Sequence, residues 1–195
     1  DPITAAPLAC GGLTAYRAVD HGRKALAPMQ RQGRVLLIGV GGLGQYAIRY
    51  LRLLTDAKVI ALDVAEDKRS RALEFGADEA IGPDEDIAPC DLIIDFIGSD
   101  ATLATAAGTV ARKGMIIVVG LGGGQTTFGL GKVPPEARFM TSFWGTRQQM
   151  DDLLDLARRE PSIMPSVETL PLTDAQHAHN RLREGQVAGR IVLIP

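Results

Sequence analysis

The chain has 195 residues, enough for one sizeable core and a short additional segment. Its apolar fraction of 46% and charged fraction of 23% are those of a soluble globular protein. A net charge of −2 with no basic block excludes recruitment to nucleic acid or to an anionic membrane. Two cysteines, Cys10 and Cys90, lie far apart without metal-type spacing, so a disulfide framework is excluded and a reducing cytoplasm is expected. Glycine, 22 of 195 residues against a usual level of about 7%, fits many tight turns. The first residues carry no basic leader region, and the longest uncharged run, Gly114 to Gly131, holds seven glycines and reads as strand plus loop rather than a membrane span. The chain begins Asp1-Pro2 without an initiator Met, so it is expected to be processed or part of something longer.

In chain order, residues 4–20 read as a helix, with Gly11-Gly12 as a close-packing or turn point. His21 is expected at its end, beside Asp20. The run Arg34-Val35-Leu36-Leu37-Ile38 is a strand that leads into Gly39-Val40-Gly41-Gly42-Leu43-Gly44, and residues 42–55 continue as a helix striped by Leu43, Ala47, Leu51 and Leu54. Further strands are expected at 58–63, 78–81, 91–97, 114–120 and 138–144. Most are continuous apolar runs rather than alternating ones, the pattern of a parallel sheet covered on both faces. Helices fall between them at 66–75, acidic at its start as the helix dipole prefers, and at 101–112. Alternating strand and helix predicts a doubly wound α/β domain.

Residues 149–160 place Met150, Leu153, Leu154 and Ala157 on one helical face. Pro161 and Pro165 then break the chain. An extended piece at 166–172, a short helix at 173–185 and a last strand at 190–194 follow, a tail that needs a partner surface. His177 and His179, two apart on that helix, point to different sides and are expected to be solvated, because a metal pair wants a spacing of four. Cys90 has no visible partner and is expected to be a bystander. No Ser-His-Asp arrangement, G-x-S-x-G or P-loop occurs.

The chemistry is concentrated in the glycine turn. Gly39 allows the strand-to-helix turn, Gly41 lets the backbone approach a pyrophosphate, and Gly44 lets the helix pack close to the strand. Free N–H groups and the positive dipole end of the helix then face the phosphates. Asp63 ends the second strand about twenty residues on, where a carboxylate accepts both ribose hydroxyls of an adenosine. The plainer alternative is a Gly-rich turn that only packs a helix on a sheet.

Four stretches together carry a family resemblance: Leu8-Ala9-Cys10-Gly11-Gly12-Leu13-Thr14-Ala15-Tyr16, the GVGGLG turn, Asp63-Val64-Ala65-Glu66-Asp67-Lys68, and the closing Gly189-Arg190-Ile191-Val192-Leu193-Ile194-Pro195. The chain resembles the medium-chain, zinc-dependent alcohol dehydrogenases, with Phe143-Trp144-Gly145-Thr146-Arg147 similar to the bacterial secondary-alcohol type. The resemblance implies a Rossmann domain at 21–160, preceded by a linker helix at 1–20 and followed by a return segment of a catalytic domain at 161–195. That catalytic domain would precede Asp1.

By the same resemblance, Cys10 is one of three protein ligands of a catalytic zinc, the others coming from the absent domain; by composition alone it is a small buried hydrophobe. Thr14 matches a position at the nicotinamide. Gly42 and Leu43 match the backbone donors to the pyrophosphate, Val64 packs against the adenine, and Lys68 either reaches the adenosine ribose or is a solvated helix residue. Ile97-Gly98 and Val119-Gly120-Leu121 match the walls of the nicotinamide ribose and ring; the last three otherwise read as core strand plus turn. Arg190 matches an arginine on the pyrophosphate, or else is a surface arginine. The implied cofactors are NAD and zinc, the implied substrate a small alcohol or ketone, and the implied assembly a homo-oligomer through edge strand 138–144. Alternatives are a non-catalytic dinucleotide-binding module, or a polyol, threonine or aldehyde-type dehydrogenase of the same superfamily.

Overall fold

The computed structural model describes residues 1–27 and 32–195. The expected domain span 21–160 therefore includes four residues, 28–31, that lie outside the described ones. Six parallel strands form the central sheet: β1 (Arg34–Ile38), β2 (Lys58–Leu62), β3 (Glu79–Ile81), β4 (Cys90–Asp95), β5 (Val110–Val118) and β6 (Arg138–Thr141). Their order is β3-β2-β1-β4-β5-β6, so the chain reverses direction across the sheet between β1 and β4. That is the doubly wound order, in which ligands bind at the carboxyl ends of the strands on either side of the reversal. The α/β Rossmann fold expected from the apolar runs is the fold observed.

The continuous apolar strands serve two cores at once. Val35 and Leu37 of β1 face one core with Val59 and Ala61 of β2, while Leu36 and Ile38 face the other with Ile60 and Leu62. Each fully buried side chain of this size contributes about 1.5–3 kcal/mol relative to exposure. The first core is covered by α2 (Gly11–Leu26), α3 (Gly44–Leu54) and α6 (Arg147–Arg159), the second by α5 (Asp100–Thr109). A fifth helix, α4 (Glu66–Glu74), follows β2 and begins on Glu66 and Asp67 as the dipole requires. Reciprocal capping boxes open α5 (Ser99 with Thr102) and α6 (Thr146 with Gln149).

Several boundaries differ from the sequence reading. The expected helix at 4–20 is α1 (Pro2–Ala5), a tight 3-10 turn over Ala6–Ala9, and then α2, which runs on to Leu26 across the expected boundary at residue 20. His21 is therefore inside a helix, not at its end. Helix 101–112 stops at Thr109, because β-branched Val110 already pairs with Cys90 and opens β5. The edge strand ends at Thr141, and Trp144 turns the chain with φ 53°.

The C-terminal tail finds its partner in itself and in the N-terminus. Strands β7 (Val167–Pro171) and β8 (Arg190–Ile194) pair in parallel across α7 (Ala175–Arg183), with Val167 opposite Arg190. α1 touches β7, and the 3-10 turn touches β8. Arg190 therefore starts β8 close to the start of α2.

Candidate functional site

The turn from β1 to α3 uses its three glycines for three separate physical reasons. Gly39 adopts φ +92°, which a side chain rarely tolerates, and its N–H donates to Leu62 O at 2.8 Å. Around Gly41 a Cβ would meet nothing within 4 Å, so open space lies over the backbone there. At Gly44 a Cβ would fall 2.0 Å from the carbonyl oxygen of Gly39, so the helix sits on the turn at a distance only glycine permits. Leu43 is the N-cap of α3 and no side chain caps that end. The Gln45 and Tyr46 N–H groups donate to the Gly41 and Leu43 carbonyls at 3.2 and 3.0 Å, so among the described residues it is the N–H groups of Gly42, Leu43 and Gly44 that are left to face an anion.

Asp63 is buried, 6% exposed, and is tied to this turn. Its Oδ2 accepts from the Val40 N–H at 2.8 Å and its Oδ1 from the Ala65 N–H at 3.0 Å. A carboxylate has about four lone-pair sites, so each oxygen keeps capacity for one further donor. Val64 is exposed. Lys68, on α4, lines a hollow of about 170 Å³ with Gly41, Gly42, Arg71 and Val187. Two arginines missed by the sequence reading also lie here. Arg69 Nη1 donates to the carbonyls of Asp63 and Val64 at 2.9 and 3.0 Å, and Arg71 Nη1 donates to Ala188 O at 3.4 Å. Two cations on the helix that directly follows Asp63 were the available signal.

At the ends of β4 and β5 the organiser is Asp95, also missed. It is wholly buried; its Oδ1 accepts from the Ile97 and Gly98 N–H groups at 2.8 and 3.0 Å. Its carbonyl accepts from Val119 and Gly120 N–H at 2.8 and 3.1 Å. A Cβ at Gly98 (φ +72°) would lie 2.4 Å from Gly120 O, and one at Gly120 would lie 2.1 Å from the Ile97 carbonyl carbon. The two loops are laced backbone to backbone, which turns Ile97 and Leu121 outward, 44% and 86% exposed, while Val119 stays in the core. A carboxylate ending an apolar strand two residues before Ile97 is the sequence signal for this role. Ile97 also packs beside the turn: its Cδ1 would be 2.8 Å from a Cβ on Gly39.

Arg190 closes the other side. Its guanidinium is wedged against two glycines, so that a Cβ on Gly11 would fall 2.0 Å from Nη2 and one on Gly42 would fall 2.7 Å from Nη1. Among the described residues no carboxylate forms an ion pair with it, and its buried Nε has no hydrogen-bond partner. A cation so placed, at the start of α2 and beside the start of α3, sits against two positive helix ends, an arrangement that favours an anion.

Cys10 is exposed and precedes α2, in contrast to the small buried hydrophobe that composition suggests. It lines a hollow of about 340 Å³ with Pro7, Gly11, Leu43, Arg190 and Ile191. Thr14 is buried one turn on, its N–H donating to Cys10 O at 2.9 Å. Among the described residues no three His, Cys, Asp or Glu side chains gather as a metal-binding group. Cys90 is buried, its thiol pushed up to about 11 chiefly by burial, and it donates to Ala88 O. His177 and His179 are exposed.

The family described as zinc-binding dehydrogenase matches residues 42–159. The chain belongs to the zinc-dependent, medium-chain alcohol dehydrogenase family. Within this family, an alcohol dehydrogenase from Geobacillus stearothermophilus is 32% identical, the match covering 99% of this chain and 58% of that protein. An NAD-dependent alcohol dehydrogenase from Sulfolobus acidocaldarius is 33% identical over 97% of this chain and 57% of its own length. The solved alcohol dehydrogenase of Aeropyrum pernix superposes with a TM-score of 0.85 at 34% identity, covering 98% of this chain and 57% of that one. The acetophenone reductase of Geotrichum candidum, solved in complex with NAD, superposes at 0.84 with 29% identity and covers 98% and 55%. The chain thus spans less than three fifths of the length of these relatives. No helix among the described residues is long and apolar enough to cross a membrane.

Proposed function

We propose that this chain is the NAD-binding portion of an alcohol dehydrogenase, its Rossmann domain at 21–160 seating the dinucleotide and its segment 161–195 returning to close the site. The observation that carries this is Arg190: a guanidinium with no carboxylate partner among the described residues, wedged between Gly11 and Gly42, beside an uncapped helix start. An anion with two phosphates fits that combination of forked donors, free backbone N–H groups and open space over Gly41. Asp63 supports the adenosine ribose at one end through its remaining lone pairs, and Lys68 lines the hollow beside Gly41 and Gly42. Ile97, Gly98, Gly120 and Leu121 form the wall on the far side, the expected seat of the nicotinamide ribose and ring, with Thr14 and Val119 behind. The NAD-dependent Sulfolobus relative and the NAD complex of the Geotrichum reductase support the choice of cofactor.

When bound, NAD supplies the hydride chemistry, and the reaction proposed for the whole protein is hydride transfer between a small alcohol or ketone and NAD. What these residues contribute is positioning and charge: they hold the pyrophosphate, orient the ribose hydroxyls and wall the reacting end. Cys10 offers one thiolate to a zinc site that needs three protein ligands. The described residues bring no second and third donor beside it. A longer protein bearing two further ligands would complete that site. The exposed aromatics of the β6 edge support a homodimer through that strand.

The test separates binding from catalysis. Calorimetric titration of the 195-residue chain with NADH and ADP-ribose should give saturable one-to-one binding. Elemental analysis should find no stoichiometric zinc, and no alcohol oxidation should exceed background. Absence of ADP-ribose binding would sink the dinucleotide reading; NADH production from a secondary alcohol by this chain would sink the division between binding and catalysis.

A further inference from the structure

The Arg190 guanidinium has a third neighbour besides Gly11 and Gly42. Tyr46, in the first turn of α3, is 0% exposed, and its ring centroid lies 5.7 Å from Arg190 Cζ. One turn later Tyr50 stacks on Tyr46, with centroids 5.9 Å apart and 22° between planes; Tyr16 of α2 meets Tyr50 edge-on at 5.8 Å. A column of three rings thus runs from α2 through α3 to the start of β8. The Tyr50 hydroxyl is buried without a hydrogen-bond partner, and that of Tyr46 has none in hydrogen-bond geometry, although the Arg190 guanidinium lies close enough to pull on it. Such groups are costly, and phenylalanine would avoid that cost.

We propose that Tyr46 is a positioning residue that holds the Arg190 guanidinium at the mouth of the glycine turn, so that the grip on a pyrophosphate depends on a buried side chain that does not touch it. This rests on the dinucleotide reading and adds to it. The physical reason is competition. A carboxylate beside Arg190 would fix the guanidinium but would also neutralise it and compete with phosphate. An aromatic face attracts the cation through its quadrupole and leaves the full charge and the outward N–H donors to the ligand. Burial pushes the Tyr46 hydroxyl above its ordinary range, against the opposing pull of Arg190, so the phenol stays neutral and supplies no competing anion. The missing Cβ atoms at Gly11 and Gly42 let the guanidinium lie flush between the two helix starts.

The experiment is a double-mutant cycle read by calorimetry, with ADP-ribose and adenosine as the probes. Tyr46→Leu and Tyr46→Met remove the aromatic face, and Tyr46→Phe keeps it; each is made alone and with Arg190→Ala. Tyr46→Met, closer in shape to a long core side chain, serves if Tyr46→Leu fails to fold. Loss of the aromatic face should weaken ADP-ribose binding by a few-fold to about thirty-fold, the range of a cation–π contact. Adenosine binding should not change, Tyr46→Phe should restore the wild-type affinity, and the loss should vanish when Arg190 is already alanine. Equal losses for adenosine and ADP-ribose, or a Tyr46 effect that persists without Arg190, would overturn the proposal and show a structural role only. Wild-type binding of ADP-ribose with unaltered affinity in Tyr46→Leu or Tyr46→Met would overturn it while leaving the dinucleotide reading intact. No ADP-ribose binding by wild type would remove both.

Discussion

Gly44 and Gly39 are in backbone contact: a Cβ added at position 44 would lie 2.0 Å from the Gly39 carbonyl oxygen. The obstacle is main chain, which cannot swing aside, and it belongs to a residue already held at φ +92°. Gly44→Ala should therefore push α3 off the turn. The expected cost is about 1–3 kcal/mol, as for other over-packing substitutions, with loss of ADP-ribose binding because the helix start is displaced. Gly41→Ala, which meets nothing within 4 Å, should leave stability unchanged. Denaturant unfolding of the two variants checks this, and equal stability would refute the packing argument.

Asp63 should set cofactor choice. Its carboxylate is held by Val40 and Ala65 N–H groups in a position to repel a 2′-phosphate, while a ribose hydroxyl can donate to it. Hydrogen bonds to charged groups contribute about 1.5–3 kcal/mol, so NAD should bind one to two decades tighter than NADP. Asp63→Ala should weaken NAD and narrow that gap, with Arg69 nearby as a cation for the phosphate. Equal binding of both cofactors by the wild type would contradict the assignment.

Assembly should follow the β6 edge. Phe139, Phe143 and Trp144 are 38%, 69% and 54% exposed, and Phe128 packs on Phe139 with ring centroids 5.6 Å apart. An uncovered apolar edge strand invites pairing, and two copies can pair it about a two-fold axis. Sedimentation at tens of micromolar should show a dimer that Phe139→Pro, or Phe143→Ser with Trp144→Ser, converts to monomer. A wild type that stays monomeric at that concentration counts against this edge as an interface.

Acid should destabilise the chain in two windows through neighbouring residues of α2. Burial opposes ionisation of Asp20, yet hydrogen bonds from Lys24, Arg23 and Gln149 outweigh it and hold its pKa below the ordinary 3.8. The folded value is the lower one, so this stabilisation is present above about 3.8 and is lost as pH falls through the folded value. His21 is lowered from 6.5 by burial and then by the Arg17 cation. The unfolded chain takes up that proton first, so stability declines as pH drops below 6.5 toward the folded value. His21→Gln should flatten the decline between pH 7 and 5, whereas Asp20→Asn should lower Tm at pH 7, by about 2–4 °C per kcal/mol lost, and converge with wild type only once pH has fallen through the folded Asp20 value, which lies below 3.8. Parallel Tm curves for wild type and both variants would remove the assignment.

The local geometry of the candidate site was legible in the sequence because each feature is a local requirement. A positive φ at Gly39, the close approach at Gly44 and a carboxylate closing β2 are demands of neighbouring backbone on neighbouring residues, and they leave marks at fixed spacing. The continuous apolar runs likewise announced a sheet buried on both faces. Long-range placement left no such mark. That Arg190 comes to rest between Gly11 and Gly42, that Tyr46 lies beside it, and that the Asp95 carboxylate and carbonyl organise two loops all depend on how segments far apart in sequence pack together. The extent of α2 was partly legible and missed, since Arg23 and Lys24 are the cations that suit a last turn, and the helix runs on to Leu26, which is buried in the first core. Residue types and local turns follow from the chain's own chemistry; which cation meets which glycine is decided by tertiary packing, because only the folded core brings β8 to the start of α2 and α3.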